Sequence, residues 1–341
     1  MQSSDLIGFP SLSFRNQRIQ FSLTSAHKVN PYPTTTMMAS ATTTMTQEET
    51  YYQPELEVYC SDGREEELLN SIRNHPEIDE IRGSPARVLA AIDDYGRRKN
   101  FLMNVGRFKG PIVAEEIAQR KPKTMVELGG YIGYSAILFG SRVRDVGGSK
   151  YITLELNQAF ADVAIQLIKI AGLGEFCEIL VGPCRQSLRE KLPQLLPNGQ
   201  LDLVFLDHSK KDYANDLRLM EETGLIKKGT TIIADNVITP GAPLYLEYVR
   251  FSVVEKVELA EAFQKDSGQD LSRGNPKLIY NNKHIKGLEP TGREVYHFLS
   301  FSYLFELTWR YRMDSKSRNV LERRRPRFRM LRVILLRLAC R

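Results

Sequence analysis

Two short clusters in this 341-residue sequence could do chemistry together: Asp207-His208-Ser209-Lys210, and Asp235-Asn236, whose acid lies 28 residues after the first. Each ends an apolar run, Leu201-Asp-Leu-Val-Phe-Leu206 and Thr230-Thr-Ile-Ile-Ala234. That separation fits one strand-helix-strand unit, so the two acids can sit side by side. Two carboxylates and an amide oxygen at one sheet edge make a hard-oxygen cluster, suited to Mg2+ and poorly suited to zinc. The plainer reading, helix caps and loop anchors, is weaker because the apolar strands aim both acids at one cleft. Lys210 could act as a general base where a neighbouring cation destabilises its ammonium form. A lysine there is otherwise surface, as Lys211 is read. His208 is better read as a partly buried histidine that holds the loop.

A third cluster, Glu127-Leu-Gly-Gly-Tyr-Ile-Gly-Tyr-Ser135, follows the run Thr124-Met-Val-Glu-Leu128. Its glycines permit a tight turn, and Ser135 falls in the first turn of a helix whose free amides suit an anionic group. The GGxxG spacing is not the dinucleotide GxGxxG, and an ordinary strand-to-helix turn explains it equally well. Glu155 ends the next strand, 26 residues after Gly129. It is placed to accept from two ribose hydroxyls, although a lone Glu there is more often solvated. Together the turn and the acid favour a nucleoside-containing cofactor.

The elements that must position these residues alternate helix and strand. Ser84-Pro85 reads as N-cap and first helical residue, with Val88, Leu89, Ile92 and Tyr95 on one face. Pro111 is read the same way for a helix to Arg120. Asn157 caps a helix whose apolar positions from Phe160 to Ala171 keep helical spacing, ended by Gly172. Near-continuous apolar strands between helices predict an α/β fold: a doubly wound, mostly parallel, Rossmann-like sheet that binds ligands beyond its strand carboxyl ends.

The formal charge of +6 and pI near 9.0 suggest a polyanion partner until the charge is partitioned. Residues 316–341 hold ten basic side chains against Glu322, and residues 1–47 carry three against Asp5, leaving 34 basic against 39 acidic in residues 48–315. The body is therefore acidic, and the basic excess belongs to a tail. Residues 1–47 contain 15 Ser and Thr and read as a disordered extension that loosely fits a mitochondrial transit peptide. Cys60, Cys177, Cys184 and Cys340 form no CxxC pair, which argues against a disulfide scaffold or structural zinc and fits a reducing compartment. No apolar run is long enough for a transmembrane helix. The expected organisation is an extension over 1–47, a catalytic body over 48–292, and an aromatic then basic tail over 293–341.

Met103-Asn-Val-Gly106-Arg-Phe-Lys-Gly110, Val126 to Ser135, Leu206-Asp-His208 and Ala234 to Pro243 together resemble the catechol O-methyltransferase family, from about Ser84 to Arg250. The resemblance implies a class I S-adenosylmethionine-dependent methyltransferase fold, S-adenosylmethionine as donor, Mg2+ as cofactor and a vicinal diphenol as acceptor. By motif, Val105, Glu127, Gly129, Tyr131 and Ser135 would line the cofactor's methionine end, Met103 would sit near the methyl, and Glu155 would hold the ribose. Gly182, Cys184, Arg185 and Asp207 complete the cofactor set. Asp207, Asp235 and Asn236 would bind Mg2+, Lys210 would be the base, and Lys210 and Asn236 would meet the substrate.

Three departures stand out. Cys184-Arg185 replaces a Ser-Gln pair near the adenine. Ser209 replaces an aromatic that gives the cofactor a stacking surface. No closing Asp-Gly-x-Glu element, whose Glu binds the second catechol hydroxyl, is recognised after Gly292, and Glu294 is not assigned its role. The leading expectation is a monomeric, cytoplasmic, Mg2+-dependent O-methyltransferase acting on a small catechol, without a specific nucleic-acid partner; a mitochondrial address is the alternative. Against it stand a cofactor-binding homologue inactivated by loss of the closing strand, and a polyanion or membrane-surface binder driven by the tail, where residues 330–338 could form a basic amphipathic helix.

Overall fold

The computed structural model describes residues 51–196, 198–265, 271–292 and 297–306. The expected extension over 1–47 and the basic run from Lys316, with its amphipathic stretch, lie outside the described residues. In chain order the elements are α1 (Arg64–Arg73), α2 (Ile78–Ile81), α3 (Pro85–Arg98), α4 (Gly106–Arg120), β1 (Thr124–Leu128), α5 (Tyr134–Asp145), β2 (Lys150–Glu155) and α6 (Gln158–Ile170). They continue with β3 (Cys177–Val181), α7 (Cys184–Gln186), α8 (Leu192–Leu195), β4 (Leu203–Leu206), α9 (Tyr213–Glu222), β5 (Thr231–Ala234), α10 (Pro243–Tyr248), α11 (Val253–Lys265), β6 (Leu278–Gly287) and β7 (His297–Glu306). No described helix is long and apolar enough to cross a membrane.

The seven strands form one sheet in the order β3-β2-β1-β4-β5-β7-β6. β1 to β5 are parallel, and β7 and β6 complete the edge antiparallel. Alternation along the strands divides the core. Met125, Tyr151, Leu203 and Phe205 pack in one layer, while Val126, Leu128, Val204 and Leu206 pack in the other. Glu127 stands two residues after Met125 on β1 and so faces the first layer, paired in register with Thr153 of β2. Both expected caps form: Ser84 Oγ accepts from Arg87 N at 3.4 Å, and Asn157 Oδ1 accepts from Ala159 N at 2.9 Å.

Two local expectations are corrected. Pro111 does not open its helix but lies inside α4, which begins five residues earlier at Gly106. Tertiary contacts outweigh the proline rule here: Gly106 packs against the Pro290 ring, and Lys109 is anchored to acids across the site. The second correction concerns the closing strand. The composition break after Gly292 falls between two strands of one antiparallel pair, because β7 enters the sheet next to β5 with Phe301 opposite Ile233. Leu299 and Phe301 are fully buried, each worth about 1.5–3 kcal/mol of apolar burial. The aromatic part of the expected tail is thus sheet, and the inactive-homologue reading loses its basis.

The acid that ties this edge down is Glu221 of α9. It pairs with Lys256 of α11 at 2.8 Å, both side chains almost fully buried, and accepts from the hydroxyls of Tyr248 and Tyr280. That network holds α11 and β6 against α9, which fixes where β6 ends and delivers the residues after it to the cleft.

Candidate active site

The carboxyl ends of β1, β2, β4 and β5 open into a cleft of about 960 Å³. All of the expected site residues line it except Glu127. The glycine turn after β1 forms its floor. Gly129 has φ +94°, and a Cβ there would lie 2.8 Å from the backbone of Asp207, so only glycine lets the β1 and β4 loops meet. Glu155 Oε2 accepts from the amides of Gly130 and Tyr131 at 3.2 and 2.8 Å, and Oε1 accepts from Asn157 N at 2.8 Å. The predicted ribose acceptor therefore also holds the glycine turn in shape. Tyr131 donates its hydroxyl to Glu65 Oε1 at 2.8 Å, tying α1 to the cleft.

Glu127 lies beneath this floor, fully buried, with neither carboxylate oxygen hydrogen-bonded. Desolvation pushes its pKa up to about 8, opposed by the nearby hydroxyls of Ser135 and Thr153. Between the ordinary 4.5 and about 8 the folded protein keeps a proton there that the unfolded chain releases. Stability of the ligand-free protein is accordingly expected to fall as pH rises through that window. Glu127→Gln should flatten the dependence, read as a smaller difference between urea midpoints at pH 5 and pH 8 in the variant.

At the ends of β4 and β5 the acids and lysines interlock. Lys210 Nζ donates to Asp207 Oδ1 at 2.8 Å and to Tyr213 Oη at 2.7 Å, while Tyr213 donates onward to the Leu206 carbonyl at 2.7 Å. Desolvation holds the Asp207 carboxyl above its ordinary pKa; Lys210 opposes this and Asp235 adds to it. Asn236 has φ +58°, and its amide nitrogen donates to Glu289 Oε1 at 3.1 Å, so the end it can offer a cation is Oδ1.

Two residues of this cluster escape the sequence reading. Lys109, 1% exposed, donates to Asp235 Oδ2 at 2.5 Å and to Glu289 Oε1 at 2.8 Å. Burial alone would favour its neutral form, but Asp235, Glu289 and Asp207 outweigh that and keep it protonated. Glu289 ends the sequence Lys286-Gly287-Leu288-Glu289, an Asp-Gly-x-Glu element with lysine in the first place. That is the signal a search demanding the aspartate passes over. Gly287 is needed as well, because a Cβ there would stand 2.5 Å from the Lys109 stem. Three carboxylates (Asp207, Asp235, Glu289) against two ammonium groups leave this end of the cleft at −1. The donor set and that residual charge fit Mg2+ on Asp207, Asp235 and Asn236.

The adjoining part of the cleft is built by α7, α9 and the β4 loop. His208 Nε2 meets Asp216 Oδ2 at 3.0 Å and its ring stacks on Tyr213, which bears out the reading of a loop-holding histidine. Arg185 lines the cleft, yet its guanidinium reaches Asp216 Oδ1 at 3.4 Å and Ser272 Oγ at 3.1 Å. Cys184, Ser209, Met103, 36% exposed, and the buried Val105 also line the cleft. Glu55 and Tyr59, from the segment before α1, also line the cleft.

An open, mostly parallel sheet with a glycine turn after β1, an acid ending β2 and an acid-lysine cluster after β4 is a doubly wound scaffold that binds its ligand beyond the carboxyl ends of the strands. The family model described as O-methyltransferase matches residues 93–271, from within α3 to beyond α11, and the chain belongs to that family. It is a methyltransferase that transfers to a hydroxyl group. Among curated proteins it is similar to the catechol O-methyltransferase of Mus musculus, 38% identical over 200 residues, covering 59% of this chain and 73% of that protein. The Sus scrofa catechol O-methyltransferase is 41% identical over 152 residues, covering 45% of this chain and 80% of that one. For the Bos taurus catechol O-methyltransferase the figures are 37% over 187 residues, 55% of this chain and 66% of the relative. Among solved structures it is similar to an O-methyltransferase from Bacillus cereus in complex with SAH, at 18% identity and TM-score 0.45, covering 70% of this chain and 96% of that one.

Proposed function

We propose that the protein is a Mg2+-dependent catechol O-methyltransferase using S-adenosylmethionine. The observation that carries the reading is the convergence of Lys210, Asp207, Asp235, Asn236 and Glu289 at the ends of β4 and β5, beside a cleft floored by the glycine turn. Buried Glu127, with its two unpaired oxygens under that floor, suits a cofactor that brings hydrogen-bond donors or positive charge. S-adenosylmethionine would supply an electrophilic methyl, and Mg2+ held by Asp207, Asp235 and Asn236 would supply the Lewis acidity that eases ionisation of a diphenol.

The chain's own groups do the rest. A neutral Lys210 amine has two N–H groups, matched to Asp207 and Tyr213, and one lone pair left to accept the proton of the attacking hydroxyl. The ammonium so formed keeps both partners, and Tyr213 is itself held by the Leu206 carbonyl. Glu289 accepts from the second hydroxyl, fixing which oxygen faces Lys210. Met103 and Pro240 supply apolar walls, and the acceleration rests largely on this positioning. The catalytic domain extends from about Glu48 through β7.

Incubated with S-adenosylmethionine, Mg2+ and a vicinal diphenol, the protein should transfer one methyl per diphenol. EDTA should abolish turnover and added Mg2+ restore it, with a monophenol of similar size left unmethylated. Turnover indifferent to EDTA would overturn the metal; equal methylation of the monophenol would overturn the substrate class.

A further inference from the structure

Beside Lys210, on the other side of the Tyr213 ring on which His208 stacks, lies a group whose chemistry methyl transfer does not use. Cys184 Sγ, a ring nitrogen of His208 and a carboxylate oxygen of Asp216 all lie within 4.8 Å of one another. They come from three elements: the first residue of α7, the loop after β4, and the first turn of α9. Thiol, imidazole and carboxylate together are a borderline-soft donor set, the one that favours Zn2+ over Mg2+. A tetrahedral zinc with bonds of about 2.0–2.3 Å places its ligands roughly 3.3–3.8 Å apart. His208 Nε2 and Asp216 Oδ2 stand 3.0 Å apart, so closure on an ion needs small adjustments, a slight widening of this pair included. The other ring nitrogen, Nδ1, is buried without a hydrogen-bond partner, so the imidazole can present either nitrogen. Ser209, the small residue beside His208, lines the cleft with all three.

A thiol-imidazole-carboxylate cluster could instead be a nucleophile and its base. Two observations oppose that. The His208 nitrogen within hydrogen-bond reach faces Asp216, and burial beside Asp216 holds the thiol protonated. A dication reverses this balance, since two positive charges next to Asp216 favour the thiolate.

We propose that Cys184, His208 and Asp216 form a zinc site whose occupation excludes the cofactor. On binding, the S–H bond breaks and its proton leaves to solvent, the Nε2 proton of His208 moves to the partnerless Nδ1 as the hydrogen bond to Asp216 is given up, and zinc bonds form to sulfur, Nε2 and the carboxylate, with no change of oxidation state. Arg185 must release Asp216, from which it stands 3.4 Å. Exclusion rests on the proposed function, in which the nucleoside end of S-adenosylmethionine occupies this part of the cleft; the metal site itself does not.

The test uses the full chain in excess Mg2+, with Co2+ as the spectroscopic stand-in for Zn2+. One equivalent should give a thiolate-to-cobalt charge-transfer band in the near ultraviolet, lost in Cys184→Ser and lost again when S-adenosylhomocysteine is added to the wild type. On unmodified protein, Zn2+ should slow alkylation of Cys184, mapped by mass spectrometry. In turnover, Zn2+ at about ten times its dissociation constant should raise the apparent KM for S-adenosylmethionine about tenfold with kcat unchanged. No band, or a band that survives Cys184→Ser, overturns the site; a band that persists under saturating S-adenosylhomocysteine overturns the exclusion. Should calorimetry detect no S-adenosylmethionine binding while the band stands, the methyltransferase reading of the cleft falls and the zinc site does not.

Discussion

Lys210→Met is expected to lower kcat by about 10²–10⁴-fold while leaving affinity for S-adenosylhomocysteine near the wild-type value. Methionine keeps the length of the stem and removes the amine, so Asp207 and Tyr213 each lose one donor and the Tyr213 ring loses the cation 4.9 Å from its centroid. Asp207 is one-fifth exposed and can recover its partner from water, which keeps the structural cost small. The decisive companion is Lys210→Arg. Arginine restores donors to Asp207 and Tyr213 but does not give up its proton at any pH the fold survives. If Lys210 accepts the substrate proton, the arginine variant stays as slow as the methionine variant. An arginine variant with near-normal kcat would make Lys210 a positioning residue. Steady-state kcat and KM for both variants, with calorimetry for the cofactor, separate the two.

The half of the site that the sequence reveals is the half that ends strands. Apolar runs such as Leu203–Leu206 and Thr231–Ala234 identify buried parallel strands without help, and a polar residue directly after such a run must stand at the carboxyl edge. Asp207, Asp235 and Glu155 were legible for that reason. Glu127 was legible as a special residue but not as a buried one, because in a strand covered on both sides facing cannot be read from an alternation that is absent. Lys109 was illegible on different grounds. A lysine inside a helix reads as solvated, and only the approach of β6 and the loop after β5 makes this one the centre of a charge cluster. Glu289 was hidden by its context, since lysine replaces aspartate three residues before it. The charge partition explains one further miss. The basic residues from Lys316 onward colour the whole C-terminal region, and β7, aromatic and nearly uncharged, was grouped with them although it carries two fully buried apolar side chains.

Lys109→Met should produce the largest loss of stability available at the site. The ammonium is buried between Asp235, 1% exposed, and Glu289, 20% exposed, and its removal leaves Asp235 charged in a place water does not reach. Stranding one partner of a buried pair typically costs about 3–5 kcal/mol. Methionine retains the stem that packs on Gly287, so the loss measures charge rather than packing. The same substitution changes the charge of the cluster from −1 to −2, which strengthens its attraction for a dication. Binding to the folded state alone stabilises by mass action, so Mg2+ should recover more stability in the variant than in the wild type. Urea unfolding with and without Mg2+ reads both effects as midpoint shifts. An unshifted midpoint would mean that Asp235 is not held by Lys109. A lowered midpoint that Mg2+ fails to raise would mean that the acids after β4 and β5 do not form a cation site and that Lys109 and Lys210 are the positive charges they need.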